Sequence, residues 1–199
     1  MSTLIQKIAP DFIEEAVMDD GSFAKIKLSK FRNKSYVILF FYPLDFTFVC
    51  PSEILAFSNR INEFKKRNVN VLGISVDSHF THLAWRNTTV DNGGIGKIKF
   101  PLVSDITKDI SRQYEVLINN SVALRGTFLI DKKGIIRHST LNDLPLGRNI
   151  DETLRIIDSL QFSEKSGEVC PAGWNKGEEA IVPNAQGIAN YLGKFSTEL

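Results

Sequence analysis

The sequence predicts an α/β sandwich, in which helices cover a central sheet, and three observations lead to this class. Two mainly apolar runs, 35–41 and 69–76, are typical of strands that are buried on both faces of a parallel sheet. Residues 52–66, which lie between them, carry apolar side chains at three- and four-residue spacing, as amphipathic helices do. A strand, a helix and a second strand with short connections form a βαβ unit.

The first third of the chain contains the clearest strand signals. A short strand is predicted over 23–28, after the turn signal Asp19-Asp20-Gly21. Pro43 ends the buried strand 35–41, because proline cannot donate to a central hydrogen-bond ladder. The helix 52–66 has one apolar face, formed by Ile54, Phe57, Ile61 and Phe64.

The middle of the chain repeats the alternation of helix and strand. Helices are predicted over 78–87 and 107–114, with a glycine-rich loop over 91–96 between them. Strands over 127–131 and 135–141 are predicted to form a hairpin around Lys132-Lys133-Gly134.

The composition of the chain changes near residue 163. Before that point, residues 151–162 predict an amphipathic helix that completes a core domain over 1–162. Beyond it, Gly, Pro, Glu and Lys are frequent, which predicts an extended C-terminal arm over 163–199 with one short helix at 184–191.

Composition and charge exclude several classes of function. The 199 residues include 24 Lys and Arg against 23 Asp and Glu, so no basic footprint predicts nucleic-acid binding. The longest apolar run spans only residues 36–42, whereas a membrane helix needs about 20 residues. No signal peptide is evident, so we expect a cytoplasmic protein with reduced thiols and no membrane partner.

The two cysteines, Cys50 and Cys170, are too few for a disulfide scaffold and too far apart for a metal site built from cysteine pairs. His79 and His82 lie at helical spacing, but no acidic or cysteine cluster joins them. We therefore expect neither a metal nor another cofactor.

Cys50 is the better placed cysteine, because it lies between a buried strand and an amphipathic helix. Pro51 suits a first helical position, which would put the sulfur near unpaired backbone N–H groups that favour an anion. The thiolate is the nucleophilic form of cysteine, and Thr47 can offer a hydroxyl to the same sulfur. A buried, inert cysteine is an equally good interpretation of position alone, since Phe46 and Phe48 flank the site.

A resemblance to a known family distinguishes these interpretations. The spacing Pro43-x-x-x-Thr47-x-x-Cys50 resembles the peroxidatic signature of peroxiredoxins, and the run Val169-Cys170-Pro171-Ala172-Gly173-Trp174 resembles the resolving-cysteine motif of the typical 2-Cys subfamily. Similar segments occur along nearly the whole chain: APDF at 9–12, HLAW at 82–85, GGIG at 93–96, LRGTFLID at 124–131 and LPLGR at 144–148.

The resemblance implies a thioredoxin-like three-layer sandwich with a central mixed β-sheet and an extended C-terminal arm. By the same resemblance, Cys50 attacks a hydroperoxide and becomes a sulfenic acid. Pro43 shields this centre from solvent, and Thr47 hydrogen-bonds to thiolate and peroxide. Arg125 supplies a guanidinium group to the site.

The resemblance also assigns supporting residues and partners. Glu53 and Arg148 match positions that orient the active-site arginine. Cys170 of the partner subunit would resolve the sulfenic acid as an intersubunit disulfide, which thioredoxin or a similar dithiol protein would reduce. The implied assembly is a homodimer, with a ring of five dimers as a further possibility.

Two other functions are alternatives to this one. A thioredoxin-like disulfide oxidoreductase is disfavoured because the chain lacks a C-x-x-C motif. An oxidised assembly that acts as a holdase chaperone would need exposed apolar surface, which sequence does not reveal. The resemblance also implies that Gly93-Gly94-Ile95-Gly96 and a C-terminal Tyr-Phe pair slow local unfolding. Because Tyr191-Leu192 replaces that pair, we hypothesise an intermediate sensitivity to over-oxidation.

Overall fold

The computed structural model describes residues 3–197, and its centre is a mixed sheet of seven strands. The strands of the described chain are β1 (Ile13–Val17), β2 (Phe23–Lys27), β3 (Tyr36–Phe41), β4 (Val69–Ser75), β5 (Leu102–Ser104), β6 (Leu117–Ile118), β7 (Val122–Ala123), β8 (Arg125–Ile130) and β9 (Ile136–Asn142). The helices are α1 (Cys50–Asn59), α2 (Ile61–Lys66), α3 (His79–Asn87), α4 (Asp109–Gln113), α5 (Ile150–Ser166) and α6 (Ala185–Phe195).

The order of strands in the large sheet is β2-β1-β5-β4-β3-β8-β9, while β6 and β7 form a separate two-stranded sheet. Strand β3 pairs in parallel with β4 and antiparallel with β8, and β8 forms an antiparallel hairpin with β9. The predicted α/β class, the parallel pair and the hairpin are therefore confirmed.

The core forms on both faces of β3, because all six of its residues are buried. Successive side chains of a strand point to opposite faces, so Leu39 and Phe41 join one apolar cluster while Phe40 faces the other side. There the Phe40 ring stacks on Phe57 of α1 with centroids 4.4 Å apart. Each such buried side chain contributes about 1.5–3 kcal/mol relative to an exposed one. The packing fixes α1, and thus its first residue, against the sheet.

Two predicted helices differ from the observed ones. The helix predicted over 52–66 begins two residues earlier, at Cys50, and is divided at Arg60 into α1 and α2. The helix predicted over 107–114 is shorter, because Lys108 has a left-handed backbone at φ 64° and the Asp105 carboxylate binds the N–H groups of Ile110 and Ser111.

The chain divides into two compact units, Met1–Ile150 and Asp151–Leu199. The predicted boundary after residue 162 lies inside α5, which continues to Ser166. In the second unit, an isolated bridge pairs Val169 with Ile181. Asn184 caps the N-terminus of α6, whose last residue lies beyond the predicted end at 191. Within the described residues, no helix is long and apolar enough to cross a membrane.

Candidate active site

Cys50 is the first residue of α1, and its side chain is fully buried. Pro51 follows it within the first turn, where the missing N–H of proline removes no helical hydrogen bond. The sulfur therefore lies where the unpaired backbone N–H groups and the helix dipole favour a negative charge. The local sequence thus produces a buried thiol at the positive end of a helix.

Arg125 brings a cation to this thiol from the first position of β8. Its Nη1 atom lies 3.4 Å from Sγ of Cys50 and donates to Oε2 of Glu53 at 2.7 Å. Its Nε atom donates to the Leu144 carbonyl oxygen at 2.7 Å. The guanidinium group is 4% exposed, so solvent screens its charge very little. A thiolate at Cys50 is stabilised by this fixed positive charge.

Arg148 completes a buried cluster of two guanidinium groups around one carboxylate. Arg148 donates hydrogen bonds to the Glu53 carboxylate. It also donates to the carbonyl oxygens of Phe41 and Gly126, at 2.7 and 2.9 Å. Burial by itself would raise the pKa of Glu53, but hydrogen bonds and charge from Arg148, with the charge of Arg125, hold it below its usual value. Glu53 is therefore ionised, and the cluster has one more positive than negative charge.

Pro43 and Thr47 lie on the loop that leads from β3 to Cys50. Pro43, two residues beyond the end of β3, is buried, and Thr47 is half-buried. The Thr47 hydroxyl donates to the Leu44 carbonyl oxygen at 2.8 Å. Because a hydroxyl has a single proton, Thr47 does not donate to the Cys50 sulfur in this conformation. The structure thus brings Cys50, Arg125, Glu53 and Arg148 together, whereas Thr47 is turned to its own loop.

The loop Gly93-Gly94-Ile95-Gly96 is bound to helix α3 by a hydrogen bond. The Trp85 indole donates to the Gly93 carbonyl oxygen at 2.9 Å. Gly93 has φ 79°, which only glycine adopts readily, and a side chain on Gly94 would collide with the backbone of Thr88. These two glycines are therefore required by the backbone of the loop.

Cys170 lies in the second unit and is a free thiol, half-buried. Its Sγ donates to the Ser159 carbonyl oxygen at 3.5 Å, and Arg155 donates to the Trp174 carbonyl oxygen at 2.8 Å. Burial raises the pKa of Cys170, while the positive charge of Arg155 opposes this effect. The segment that carries Cys170 is thus held by side chains and carbonyl groups of α5.

Several participants in the two sites were not predicted. The acceptors for Arg125 and Arg148 are backbone carbonyl groups, which have no side-chain signature in a sequence. Arg155 was also missed, although it precedes Ser159 by one helical turn and so shares its face of α5. Among residues 3–197, no group of three or more potential metal ligands occurs, at His79 and His82 or elsewhere.

Comparison with known proteins identifies the family. The model of the AhpC/TSA family matches residues 5–139, and the model of the C-terminal domain of 1-Cys peroxiredoxin matches residues 159–194. Peroxiredoxin-1 of Gallus gallus is 56% identical over 191 residues, which are 96% of each chain. This chain belongs to the AhpC/TSA family of peroxiredoxins. The full-length similarity shows a peroxidase, and the predicted resemblance to 2-Cys peroxiredoxins is confirmed.

Solved peroxiredoxin structures agree with the fold. The reduced 2-Cys peroxiredoxin of Plasmodium vivax superposes with a TM-score of 0.96 and 53% identity, covering 96% of this chain and all of that one. A thioredoxin peroxidase I of Plasmodium yoelii has a TM-score of 0.79 and 58% identity over 87% of this chain and 99% of its own. The predicted thioredoxin-like fold of this peroxiredoxin is thereby confirmed.

Proposed function

We propose that the Cys50 thiolate reduces hydrogen peroxide and small organic hydroperoxides by attacking the O–O bond. The sulfur bonds to one oxygen and loses two electrons, the O–O bond breaks, and the departing oxyanion takes a proton to leave as water or an alcohol. The product at Cys50 is a sulfenic acid. The 3.4 Å contact between Arg125 and the sulfur is the observation that carries this proposal.

Arg125 can stabilise both the attacking sulfur and the departing oxygen. Its guanidinium group carries several fixed donors and a positive charge, so it can stabilise the thiolate and then the departing oxygen. Donors that point at a group that gains charge lower the free energy of the transition state more than that of the ground state. Glu53 and Arg148 are positioning residues, because they fix the guanidinium through the shared carboxylate.

Pro43 and Thr47 contribute to the surroundings of the peroxide. Pro43 has no N–H and is buried on the loop that leads to Cys50, which supports a role in excluding water. For Thr47 to bond to the thiolate or peroxide, its hydroxyl must first leave the Leu44 carbonyl oxygen. We assign this rotation to the binding of peroxide.

Cys170 of the partner subunit resolves the sulfenic acid. Its thiol attacks the Cys50 sulfur, a disulfide forms, and the hydroxyl leaves as water. The reduced protein is regenerated when thioredoxin or a similar dithiol exchanges with that disulfide and is itself oxidised. A homodimer is the smallest assembly in which this exchange is symmetric, and a ring of five such dimers in the cytoplasm is the larger assembly we propose. No cofactor is required, because sulfur itself carries the two electrons.

Serine substitutions of the two cysteines test this scheme. Peroxide consumption should stop in Cys50→Ser. Cys170→Ser should reduce one equivalent of peroxide, accumulate sulfenic acid and form no covalent dimer on a non-reducing gel. Turnover retained by Cys50→Ser would refute the mechanism, and a covalent dimer retained by Cys170→Ser would refute the assignment of the resolving cysteine.

A further inference from the structure

A buried polar triad, Tyr42, Asp45 and His82, joins the loop 43–49 to the core through Asp45, and the proposed chemistry gives it no role. The side chains of Asp45 and His82 are 0% exposed, and Tyr42 is equally buried. Nδ1 of His82 lies 2.7 Å from Oδ2 of Asp45, and the Tyr42 hydroxyl donates to Oδ1 at 2.8 Å. Burial without hydrogen bonds would be costly for all three groups.

The triad must hold a proton between Asp45 and His82. Nε2 of His82 lies 3.2 Å from the Val103 carbonyl oxygen, which can only accept, so Nε2 carries a hydrogen. Nδ1 faces a carboxyl oxygen at 2.7 Å, and that contact also needs a hydrogen on one of the two atoms. The pair is therefore either an imidazolium with a carboxylate or a neutral imidazole with a carboxylic acid.

Three separate elements hold Asp45 through this arrangement. Tyr42 directly follows β3 and His82 belongs to α3. Asp77, beyond the end of β4, accepts from the backbone N–H of Asp45 at 2.9 Å and from the Ser75 hydroxyl at 2.7 Å. A single residue of the loop is thus tied to three parts of the core.

The loop needs such an anchor, because its backbone is unfavourable beyond Asp45. Phe46 has φ 53°, a conformation that costs energy for a residue with a side chain. Its ring is 51% exposed and lies on Trp85 with centroids 5.7 Å apart. Four residues later the chain reaches Cys50. The conformation at Asp45 therefore determines how the loop approaches the thiol.

We propose that Asp45 and His82 are positioning residues that keep the loop 43–49 closed while Cys50 reacts with peroxide, and whose separation opens the loop for disulfide formation. This inference rests on the proposed function, since Cys50 must leave its buried position to meet Cys170 of the partner subunit. Opening separates the buried partners of the triad, so their hydrogen bonds oppose it. Weakening the triad slows the first step and accelerates the second.

Two substitutions at one position test the proposal. Asp45→Ala removes both side-chain hydrogen bonds, whereas Asp45→Asn keeps both: its oxygen accepts from Tyr42 and its amide donates to Nδ1 of a neutral His82. Quenched-flow mass spectrometry counts thiol, sulfenic acid and disulfide over time. In Asp45→Ala, disulfide formation should be about tenfold faster and the reaction with peroxide slower, while Asp45→Asn should restore both rates to within about twofold of wild type.

Amide hydrogen exchange of residues 44–50 in the reduced protein provides a readout that does not involve Cys170. It should be faster in Asp45→Ala than in wild type and restored in Asp45→Asn. If the alanine variant does not fold, Tyr42→Phe removes one hydrogen bond and should change both readouts in the same direction by less. Equal exchange in wild type and the weakened variant, or equal behaviour of Asp45→Asn and Asp45→Ala, would overturn the proposal. Absence of the disulfide in wild type would instead refute the proposed function, and exchange would still decide the role of the triad.

Discussion

Three hydrogen bonds join Arg148 to the carboxylate of Glu53. The backbone N–H and Nε of Arg148 both donate to Oε1 at 2.9 Å, and Nη2 donates to Oε2 at 3.0 Å. Because Arg125 donates to the same Oε2, this carboxylate fixes both cations of the site. The geometry of the guanidinium beside Cys50 is therefore set by the Glu53 carboxylate.

Glu53→Gln should slow the reaction with peroxide. The amide keeps the shape of the side chain but has one acceptor oxygen, so Arg125 loses its fixed orientation. A misplacement of about 1 Å can cost up to about 100-fold in rate, and we expect a decrease of at least about tenfold in the second-order rate constant. Glu63→Gln, at an exposed glutamate paired with Lys66, is the matched control. A rate for Glu53→Gln within twofold of wild type would contradict the assignment.

The same carboxylate should make stability depend on acidity. The pKa of Glu53 is lower in the folded protein than its ordinary value of 4.5, so its contribution is present above pH 4.5 and lost as pH falls through the folded value. Urea unfolding at a series of pH values should show a smaller loss of stability on acidification in Glu53→Gln than in wild type. Parallel pH profiles for the two proteins would show that another group is responsible.

Arg125→Lys should retain the positive charge but lose activity. A lysine ammonium lacks the planar set of donors that reaches Cys50, Glu53 and Leu144 at once. Loss of one well-placed donor costs about 100-fold or more in comparable sites. Rapid-quench measurement of sulfenic acid formation tests this, with Arg137→Lys on β9 as control. Unchanged kinetics in Arg125→Lys would mean that charge alone suffices.

The resolving step should accelerate with rising pH. Burial raises the pKa of Cys170 above the ordinary thiol value of 9.0, and the thiolate is the attacking form. Arg155 opposes this rise, so Arg155→Met should slow disulfide formation at neutral pH by roughly two- to fivefold and shift the profile to higher pH. Lys176→Met removes an exposed cation of the same unit and should leave the profile unchanged. Coincident profiles for wild type and Arg155→Met would contradict this role.

Sensitivity to over-oxidation should depend on the aromatic residues of α6. Tyr191 is buried, Leu192 is 42% exposed, and the Tyr191 ring lies 4.9 Å from that of Phe195. We expect Cys50 of the Leu192→Phe variant to be converted to sulfinic acid at lower peroxide concentrations than in wild type. In Phe195→Ala, this conversion should need higher concentrations than in wild type. Mass spectrometry over a peroxide titration measures this. Sulfinylation of wild type at the lowest doses would refute the intermediate sensitivity we propose.

The strands could be predicted where their burial corresponds to a simple pattern of apolar residues in the sequence. The apolar β3 and the mainly apolar β4 are recognisable because both faces of this parallel pair are largely covered. Strand β1 was missed because Glu14 and Glu15 interrupt its apolar alternation, and β5 because it has only three residues. The division at Arg60 was also missed: its N–H bonds to the Phe57 carbonyl, three residues back, without interrupting the apolar face.

The residues of the active site could be predicted where they belong to motifs that the fold brings together. The resemblance named Cys50 and Arg125, which the fold brings together from α1 and β8. The Asp45 and His82 pair was not predicted, because 37 positions separate the two residues and only the packing of α3 brings them into contact. The orientation of the Thr47 hydroxyl was equally invisible, since a rotation about one bond decides it.

The two tryptophans lie in different compact units of the molecule. Trp85 contacts Phe46 of the active-site loop and binds the Gly93 carbonyl, whereas Trp174 lies against Phe162 of α5 and donates to the Glu178 carbonyl oxygen. Indole emission responds to such contacts and to water, so each tryptophan is a built-in optical probe. A protein that keeps only one of them would report the opening of the loop, or the release of the Cys170 segment, in separate fluorescence signals without any added dye.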